Sequence, residues 1–368
     1  MYLKNSKIIV IKIGSSLLVD NKKKIRKKWL QSFAKDIQKL KSKNKKIIIV
    51  SSGAIALGCK KMNYNRINLK LDQSQAVASI GQIELMNLFS QTFSRFGLNI
   101  SQILLTLDDT EERRRSINAK RTLENLFKVD YIPIVNENDT IATSEIKFGD
   151  NDRLASRVAQ ITDADTLILL SDVDGLFTKN PKKFKNAKLI KEIKDLRKDI
   201  KNINIKGMTE LGSGGMNTKI EAAKICNLAG CNMVIANGLT LNPITQIEKK
   251  NKCTWFLSKI TKLHARKKWI ISSVSPKGEL VIDDGAKKAL LNGKSLLAAG
   301  IKKVSGIFKK GDHIKILDNK RKEFARGLSS FSSEEVNKII GCHSNDIQNI
   351  LGYISKSEVV HKDDMVKI

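Results

Sequence analysis

The sequence predicts an α/β fold, in which a mostly parallel sheet lies between layers of helices, followed by a small, mostly-β barrel. In the first part of the chain, short and almost continuous apolar runs alternate with longer stretches of helical periodicity. This alternation is typical of βαβ units. It ends near Leu257, where short strand-like runs separated by turn residues begin. A length of 368 residues fits one large domain and one small one.

The strands of the sheet are predicted from six apolar runs with few polar side chains. Strands that are buried on both faces of a parallel sheet have this composition. The six runs are residues 8–13, 47–50, 103–105, 132–135, 166–170 and 233–236.

Helices between these strands are predicted from apolar residues at intervals of three and four. Trp29, Phe33, Ile37 and Leu40 have this spacing, which defines one face of a helix. Gly230 is a candidate C-cap for the last of the other predicted helices. These other helices span residues 72–96, 115–127, 153–161 and 219–229.

The second part of the chain differs in composition from the first. Residues 1–257 carry the α/β pattern. Residues 258–268 are polar and strongly basic, which is typical of a linker, and we place the linker at residues 258–276. Residues 277–355 are predicted to form the small barrel, with residues 356–368 as a C-terminal tail. Short strands are predicted at 269–274, 280–282, 314–317 and 324–327, and a short helix at 285–291.

Cysteine and histidine usage excludes several kinds of site. The five cysteines are an odd number and form no CxxC pair, which argues against a disulfide framework and a thiolate zinc site. The first of the four histidines is His264. Chemistry located before it therefore uses no Ser-His-Asp triad, phosphohistidine or His-ligated zinc.

The net charge of +30 has two interpretations. Such an excess of Lys and Arg is typical of proteins that bind nucleic acid, membrane surfaces or polyanionic substrates. Lys, Ile and Asn are all over-used here, however, which is the bias of an AT-rich genome, and we favour this second explanation. No apolar run approaches the roughly 18 residues that span a bilayer, and no signal peptide precedes the first strand, so we expect a cytoplasmic protein.

Polar, glycine-rich clusters follow the predicted strands. In open α/β sheets, ligands bind beyond the carboxyl ends of the strands, so these clusters are predicted to meet at one edge. Glycines let backbone N–H groups approach phosphate oxygens, and a helix N-terminus attracts anions. A single Gly-Ser turn is common at strand ends, so the interpretation depends on their convergence. The clusters are residues 14–16, 51–54, 136–139, 149–152, 171–175 and 212–219.

Two lysines at this edge suit phosphoryl transfer, which needs cations near the transferring group. Lys12 interrupts an apolar run, where an ammonium group needs an anionic partner, and Lys219 follows a glycine-rich loop. We expect Asp152 to hold both lysines. Asp150 and Asp172 are expected either to join this network or to bind magnesium.

The motifs of the common nucleotide-binding classes are absent. The sequence contains no GxxxxGK(S/T), no GxGxxG and no protein-kinase loop, so a phosphotransferase here belongs to another class. The lack of histidine fits a carboxylate acceptor. A carboxylic acid with a pKa of about 4.3 is already ionised at neutral pH and needs no general base.

Several ungapped motifs in order carry a family resemblance. VIKIGSSLL (10–18), IVSSGAIALG (49–58), IPIVNENDTIAT (132–143), EIKFGDNDRLA (145–155) and LGSGGMNTKIEAA (211–223) resemble the amino-acid kinase family. Residues 277–355, including GIKKVSGIFKKGD (300–312), resemble a PUA domain. NENDT and GDND, together with this second part, are most similar to the bacterial glutamate 5-kinase group rather than to acetylglutamate, uridylate or carbamate kinases.

The resemblance implies ATP-dependent phosphorylation of the γ-carboxylate of L-glutamate to L-glutamyl 5-phosphate, the first step of proline biosynthesis. Lys12 and Lys219 would stabilise the transferring phosphoryl group, with Asp152 organising them. The implied glutamate-binding residues are Ser52, Gly53, Asn136, Asp139, Asp150 and Asn151. The implied ATP-binding residues are Lys12, Gly14, Ser171, Asp172, Ser213, Gly214, Gly215, Met216, Asn217, Thr218 and Lys219. Ser171 and Ser213 stand where many members have Thr, and both keep the hydroxyl.

The resemblance also implies magnesium, a homo-oligomer (a tetramer or dimer) and feedback inhibition by proline. Two alternatives remain: another carboxylate kinase of this family, or a kinase that also binds RNA through the PUA domain. Against RNA binding, the second part has few aromatic candidates for base stacking, and we expect Phe308, Phe324, Phe331 and Tyr353 to lie in its core.

Overall fold

The computed structural model describes residues 2–20, 24–64, 69–141, 150–181, 183–201, 215–249, 252–261, 276–353 and 356–367. The chain divides into two compact units, residues 1–260 and 261–368. In the described residues, no helix is both long enough and apolar enough to cross a membrane.

The first unit is built on an eight-stranded sheet with the order β3-β4-β2-β1-β5-β7-β8-β6. All neighbouring strands are parallel except β7 and β8, which confirms the mostly parallel sheet. The sequence analysis missed β6 and β8, because β6 has two residues and β8 only four. The strands are β1 (Ile8–Ile13), β2 (Lys46–Ser51), β3 (Ile100–Leu105), β4 (Ile132–Glu137), β5 (Thr166–Ser171), β6 (Glu192–Ile193), β7 (Asn232–Asn237) and β8 (Cys253–Phe256).

Helices connect these strands and cover both faces of the sheet. The longer predicted helices are present, although the helices predicted at 153–161 and 219–229 each begin three residues before the predicted start, at Asp150 and Met216. The helices of the first unit are α1 (Tyr2–Asn5), α2 (Ser15–Leu18), α3 (Lys27–Ser42), α4 (Ala54–Met62), α5 (Leu71–Ser94), α6 (Leu107–Glu111), α7 (Arg113–Lys128), α8 (Asp150–Ile161), α9 (Leu196–Lys201), α10 (Met216–Leu228) and α11 (Pro243–Glu248).

The central strand β1 separates two hydrophobic cores. Ile9, Ile11 and Ile13 belong to the core on one face of the sheet, and Val10 belongs to the core on the other face, which also contains apolar residues of α8 and α10. Side chains alternate between the two faces of a strand. Lys12 therefore lies on the same face as Val10, toward the side on which α8 and α10 pack.

Helices α4 and α5 pack backbone against backbone at two glycines. A Cβ atom on Gly81 would lie 1.7 Å from the carbonyl oxygen of Ala54, and one on Gly58 would lie 2.0 Å from that of Val77. Any larger residue would force the helices apart. This contact fixes the middle of α5 next to the start of α4, which immediately follows the polar end of β2.

The second unit contains a five-stranded sheet with the order β11-β9-β12-β13-β15 and a separate pair, β10-β14. It has the mostly-β composition expected from the sequence, although its described strands form two sheets. Phe308 and Phe331 lie in its core, together with Ile314 and Ile316. Its elements are β9 (Gly278–Ile282), α12 (Asp284–Leu291), β10 (Leu296–Leu297), β11 (Ile301–Ser305), β12 (His313–Leu317), β13 (Glu323–Leu328), α13 (Ser333–Ile339), α14 (Ile347–Leu351), β14 (Glu358–Val360) and β15 (Met365–Lys367).

Residues 356–367 belong to the second unit and do not form a separate tail. β14 pairs with β10, and β15 pairs with β13 at the end of the larger sheet. Val359 and Val360 are fully buried. The sequence does not predict β14 and β15, because the apolar pair in each strand is short and the polar residues 361–364 separate the two pairs. The strand predicted at 269–274 lies outside the described residues, as does most of the predicted linker.

The aromatic residues of the second unit differ in exposure. Phe308 and Phe331 are buried as expected, and Phe324 packs against the core. Tyr353, expected in the core, is 41% exposed. Its hydroxyl donates a hydrogen bond to Glu335. Partial burial and the Glu335 carboxylate together raise the pKa of Tyr353 to about 12.

Candidate active site

The carboxyl ends of β1, β2 and β5 bring three of the predicted polar clusters together. Ile13 pairs with Ser51 of β2 and with Leu170 of β5. The backbone N–H of Ser52 donates to the carbonyl oxygen of Ile13 at 3.2 Å. Gly14 and Ser52 therefore follow β1 and β2, and Ser171 is the last residue of β5, so all three lie at one edge of the sheet, where open α/β folds bind ligands.

Lys12, Asp152 and Lys219 form a buried ion cluster at this edge. The Lys12 Nζ lies 2.6 Å from Asp152 Oδ1, and the Lys219 Nζ lies 3.0 Å from Asp152 Oδ2. The Asp152 side chain is 1% exposed, and those of Lys12 and Lys219 are 11% and 9% exposed. The Thr218 hydroxyl lies 3.1 Å from Asp152 Oδ2, to which it donates. One carboxylate thus holds two cations whose ammonium groups are almost completely removed from water.

The two lysines keep Asp152 ionised. Burial favours the neutral acid, but the charges of Lys12 and Lys219, together with their hydrogen bonds, outweigh it and lower the pKa of Asp152 below its ordinary value. Removal of Asp152 from this cluster would leave two buried ammonium groups without a counter-ion, which is strongly unfavourable.

The helix positions explain why this cluster needs its carboxylate. Asp152 lies in the first turn of α8, where the helix dipole favours an anion. Lys219 lies in the first turn of α10, where the dipole disfavours a cation. Asp152 therefore compensates an unfavourable location of Lys219, and the result is a concentrated positive charge close to Gly215, the N-cap of α10.

A second cluster consists of neutral side chains. The Asn151 amide Nδ2 donates to Ser52 Oγ at 2.7 Å and to Asn136 Oδ1 at 3.3 Å. Asn136 Nδ2 in turn donates to Gln82 Oε1 at 2.7 Å. Asn136 is buried, whereas Ser52, Asn151 and Gln82 are half-buried. Since Asn151 and Asp152 are consecutive in α8, this amide cluster lies directly beside the ion cluster.

Gln82 is the member of this cluster that the sequence analysis missed. Gln82 lies in the middle of α5, away from every strand end. The expectation that ligand-binding residues follow the carboxyl ends of strands therefore does not predict it. Its neighbour Gly81 offers the available signal, because a glycine inside a long helix indicates close contact with another backbone.

Two other expected substrate residues lie at the same edge. Gly53 has φ +119°, a backbone conformation that glycine adopts without strain, and it is the N-cap of α4. Asp139 follows β4 by two residues and is half-buried. Asp150 begins α8, and its side chain lies outside the described residues.

Some of the residues that are expected to bind ATP lie close to the ion cluster. Gly14 is the N-cap of α2, and Gly215 is the N-cap of α10, so Met216, Asn217 and Thr218 form the first turn of that helix. Ser171 donates from its hydroxyl to Asp172 Oδ1 at 3.1 Å, and Asp172 is exposed. Ser213 and Gly214 lie outside the described residues.

The residues that the structure describes include no group of three His, Cys, Asp or Glu side chains arranged to hold a metal ion. Both oxygens of Asp152 contact lysine ammonium groups. Mg²⁺ usually takes one or two carboxylates and completes its shell with water and substrate phosphates. The exposed Asp172 carboxylate fits that role for an ion that binds together with a phosphate ligand.

Comparison with known sequences identifies both units. The profile of the Amino acid kinase family matches residues 7–237, and that of the PUA domain matches residues 278–351. The chain is 73% identical over 368 residues to a glutamate 5-kinase of Pelagibacter ubique, with 100% of both chains covered. It is 49% identical over 358 residues to a glutamate 5-kinase of Agrobacterium fabrum, which covers 97% of this chain and 92% of that protein.

A solved structure supports the fold. The carbamate kinase from Giardia lamblia bound to AMP-PNP matches with a TM-score of 0.52 and 18% identity, over 70% of this chain and 100% of that one. At this identity the likeness concerns the fold alone. The sequence profiles and the full-length relatives show that the chain belongs to the amino acid kinase family and carries a PUA domain after its kinase domain.

Proposed function

We propose that this protein transfers the γ-phosphoryl group of ATP to the γ-carboxylate of L-glutamate and so forms L-glutamyl 5-phosphate for proline biosynthesis. The observation that carries the proposal is the pair of lysines on one buried carboxylate, with a neutral amide cluster beside it. The activity named for relatives that are 73% and 49% identical supports the same substrate.

The chemistry requires charge stabilisation and no proton transfer. A carboxylate oxygen of glutamate attacks the γ-phosphorus, and the bond from that phosphorus to the oxygen bridging the β-phosphate breaks, so that ADP leaves. Negative charge develops on the transferring group and on ADP. Lys12 and Lys219 neutralise this charge, while Asp152 fixes both ammonium groups before the reaction begins. Since the lysines are largely removed from water, their charges act more strongly than on an exposed surface.

The amide cluster is proposed as the amino-acid site and the glycine-containing edge as the nucleotide site. Ser52, Gly53, Asn136, Asp139, Asp150 and Asn151 would bind glutamate. Mg²⁺ bound with ATP would neutralise phosphate charge, with Asp172 as its protein ligand. The ATP site would comprise Gly14, Ser171, Asp172 and residues 213–219, together with Lys12.

Product formation with a panel of acceptors tests the function. Purified protein with ATP and Mg²⁺ should form ADP when L-glutamate is added, but not with L-aspartate or N-acetyl-L-glutamate. Hydroxylamine in the same reaction should trap the acyl phosphate as a hydroxamate. ADP formation with N-acetyl-L-glutamate and none with L-glutamate would favour another carboxylate kinase of this family.

We further propose a cytoplasmic homo-oligomer, a tetramer or a dimer, that is inhibited by proline. The resemblance to the glutamate 5-kinase group supports the oligomer and the inhibition. All five cysteines are free thiols, as in proteins of a reducing compartment. RNA binding through the second unit stays the alternative. If the net charge is compositional, such binding will be weak, independent of sequence and steeply reduced by salt.

Replacement of Asn151 by Ala should raise the KM for glutamate about tenfold or more and leave the KM for ATP nearly unchanged. The variant loses the hydrogen bonds to Ser52 and Asn136, so these two side chains are no longer held in the arrangement proposed to bind glutamate. Initial rates with each substrate varied in turn measure the effect. Asn125→Ala, at an exposed position of α7, is the matched control. A rise confined to the KM for ATP would contradict the assignment.

A truncated chain ending at Ile260 should keep kinase activity. The first unit ends at this residue, and all proposed site residues precede it. Ser258 must be retained, because its N–H donates to Asn232 Oδ1 and its hydroxyl donates to the carbonyl oxygen of Asn227. The kcat of the truncated and full chains gives the comparison. A folded truncated chain without activity would show that the second unit is needed for catalysis.

A further inference from the structure

Four polar side chains form a continuous hydrogen-bonded row from β2 to α5: Ser52, Asn151, Asn136 and Gln82. Asn151 donates to both Ser52 and Asn136, and Asn136 donates to Gln82 Oε1. Asn151 Nδ2 also donates to the backbone carbonyl oxygen of Ser51 at 3.3 Å, and a carbonyl oxygen can only accept, so this bond fixes the orientation of the Asn151 amide. The orientation of the Asn136 and Gln82 amides follows from it. Gln82 therefore turns its oxygen toward Asn136 and keeps its NH₂ group for another partner.

Two atoms of this row are buried without a hydrogen-bond partner among the described residues. They are Gln82 Nε2, a donor, and Asn151 Oδ1, an acceptor. Buried polar atoms in native proteins are almost always paired, so an unpaired donor and acceptor in one cluster indicate a ligand that supplies the opposite groups. A zwitterionic amino acid does so, because its carboxylate accepts and its ammonium group donates.

The position of Gln82 is set by the packing of the α5 backbone against α4. Gly81 brings α5 into direct contact with the carbonyl of Ala54, the first residue of α4, so Gln82 lies next to the segment that contains Ser52 and Gly53. This backbone position brings the Gln82 side chain within hydrogen-bond distance of Asn136.

We propose that Gln82 is a residue of the amino-acid site. Its Oε1 orients Asn136, and its Nε2 donates a hydrogen bond to a carboxylate oxygen of the acceptor amino acid. Asn151 Oδ1 accepts from the ammonium group of the same molecule. This inference rests on the proposed function only in taking an amino acid as the ligand.

The variant Gln82→Glu separates binding of the substrate from orientation of Asn136. Glutamate is nearly isosteric with glutamine and keeps an oxygen that accepts from Asn136 Nδ2. Its second oxygen replaces the donor and repels a carboxylate. We expect the Kd and the KM for L-glutamate to rise more than about tenfold, the effect of losing a hydrogen bond to a charged group, with the KM for ATP little changed.

Two further variants complete the set. Gln82→Met removes donor and acceptor together and should weaken L-glutamate binding at least as much as Gln82→Glu. Gln91→Glu makes the same chemical change at an exposed position of α5 and should bind L-glutamate as the wild-type protein does. Circular dichroism and the thermal midpoint establish that each variant is folded.

Calorimetric titration with L-glutamate gives the Kd without requiring turnover. Wild-type affinity in folded Gln82→Glu overturns the proposal, also when Gln82→Met is impaired, because Gln82 then only orients Asn136. If Gln82→Glu does not fold, a crystal structure of the wild-type protein with L-glutamate decides. A carboxylate oxygen within hydrogen-bond distance of Gln82 Nε2 supports the proposal, and its absence overturns it.

The same experiments separate this inference from the proposed function. Absence of glutamate-dependent ADP formation by the wild-type protein would contradict the function. Normal wild-type turnover combined with unchanged L-glutamate binding by Gln82→Glu would contradict only the role of Gln82.

Discussion

Replacement of Lys219 or Lys12 by Ala should lower kcat at least about a hundredfold, which is the effect of removing one preorganised charge from a transition state. Each ammonium group lies within 3.0 Å of Asp152 and is nearly excluded from water, so bulk solvent cannot replace it. Either variant should fold, because Asp152 keeps the other lysine as its counter-ion.

Single-turnover and steady-state rates measure this loss, and matched lysines elsewhere provide controls. Lys224 is exposed on α10, the helix that contains Lys219. Lys46 is exposed at the start of β2, which pairs with β1, whereas Lys12 lies near the end of β1. Lys224→Ala and Lys46→Ala should have nearly wild-type kcat. Turnover close to the wild-type rate in Lys12→Ala or Lys219→Ala would remove that lysine from the proposed mechanism.

Replacement of Asp152 by Ala should affect both activity and stability. Two buried ammonium groups would lose their shared carboxylate, and breaking a buried ion cluster in this way costs about 3–5 kcal/mol of unfolding free energy. The kcat should fall at least as far as in the single lysine variants, because neither lysine keeps its position. Chemical denaturation and initial rates test the two effects separately.

A surface ion pair gives the comparison for this prediction. Asp130 pairs with Lys41, and its side chain is 77% exposed. Asp130 has φ +61°, a conformation that Asn also tolerates, so Asp130→Asn removes the ion pair without adding backbone strain. This change should alter the unfolding free energy by no more than about 1 kcal/mol, as expected of exposed pairs. Equal losses of unfolding free energy for Asp130→Asn and Asp152→Ala would contradict a special role for the buried cluster.

The contribution of Asp152 also has a defined dependence on pH. Its pKa in the folded protein is lower than the ordinary value of 3.8. The stabilisation is therefore complete above that value and is lost as the pH falls through the lowered folded pKa. The difference in unfolding free energy between the wild-type protein and Asp152→Asn should accordingly be constant near neutral pH and narrow in acid.

The strand-end residues of the site could be predicted because their positions follow from the sheet. Lys12 was singled out as a charge within an apolar run, and a buried ammonium group requires an anion, which the structure provides in Asp152. Parallel strands place their carboxyl ends at one edge of the sheet, so the sequence alone predicts that Ser52 and Asn136 lie near each other.

Gln82 and the last strands could not be predicted by the same reasoning. Gln82 reaches the site because two helix backbones touch at Gly81, and such a contact between α4 and α5 has no periodic signal in either helix. β14 and β15 have three residues each, too few to establish an alternation. Their burial depends on partners that lie far away in the sequence, β10 and β13.

The separation of Lys12, Asp152 and Lys219 along the chain affects how the protein folds while the ribosome synthesises it. The central strand β1 gains its second neighbour only with β5, and the ion cluster is complete only with the first turn of α10. At 5–20 residues per second, a ribosome needs roughly 10–40 s to add the roughly 200 residues between the two lysines. For about the first 140 of these residues, until Asp152 has been added, the nascent chain carries Lys12 in an apolar strand without its counter-ion. We therefore expect the amino-terminal half of the sheet to consolidate late, when α8 and α10 have emerged, rather than strand by strand.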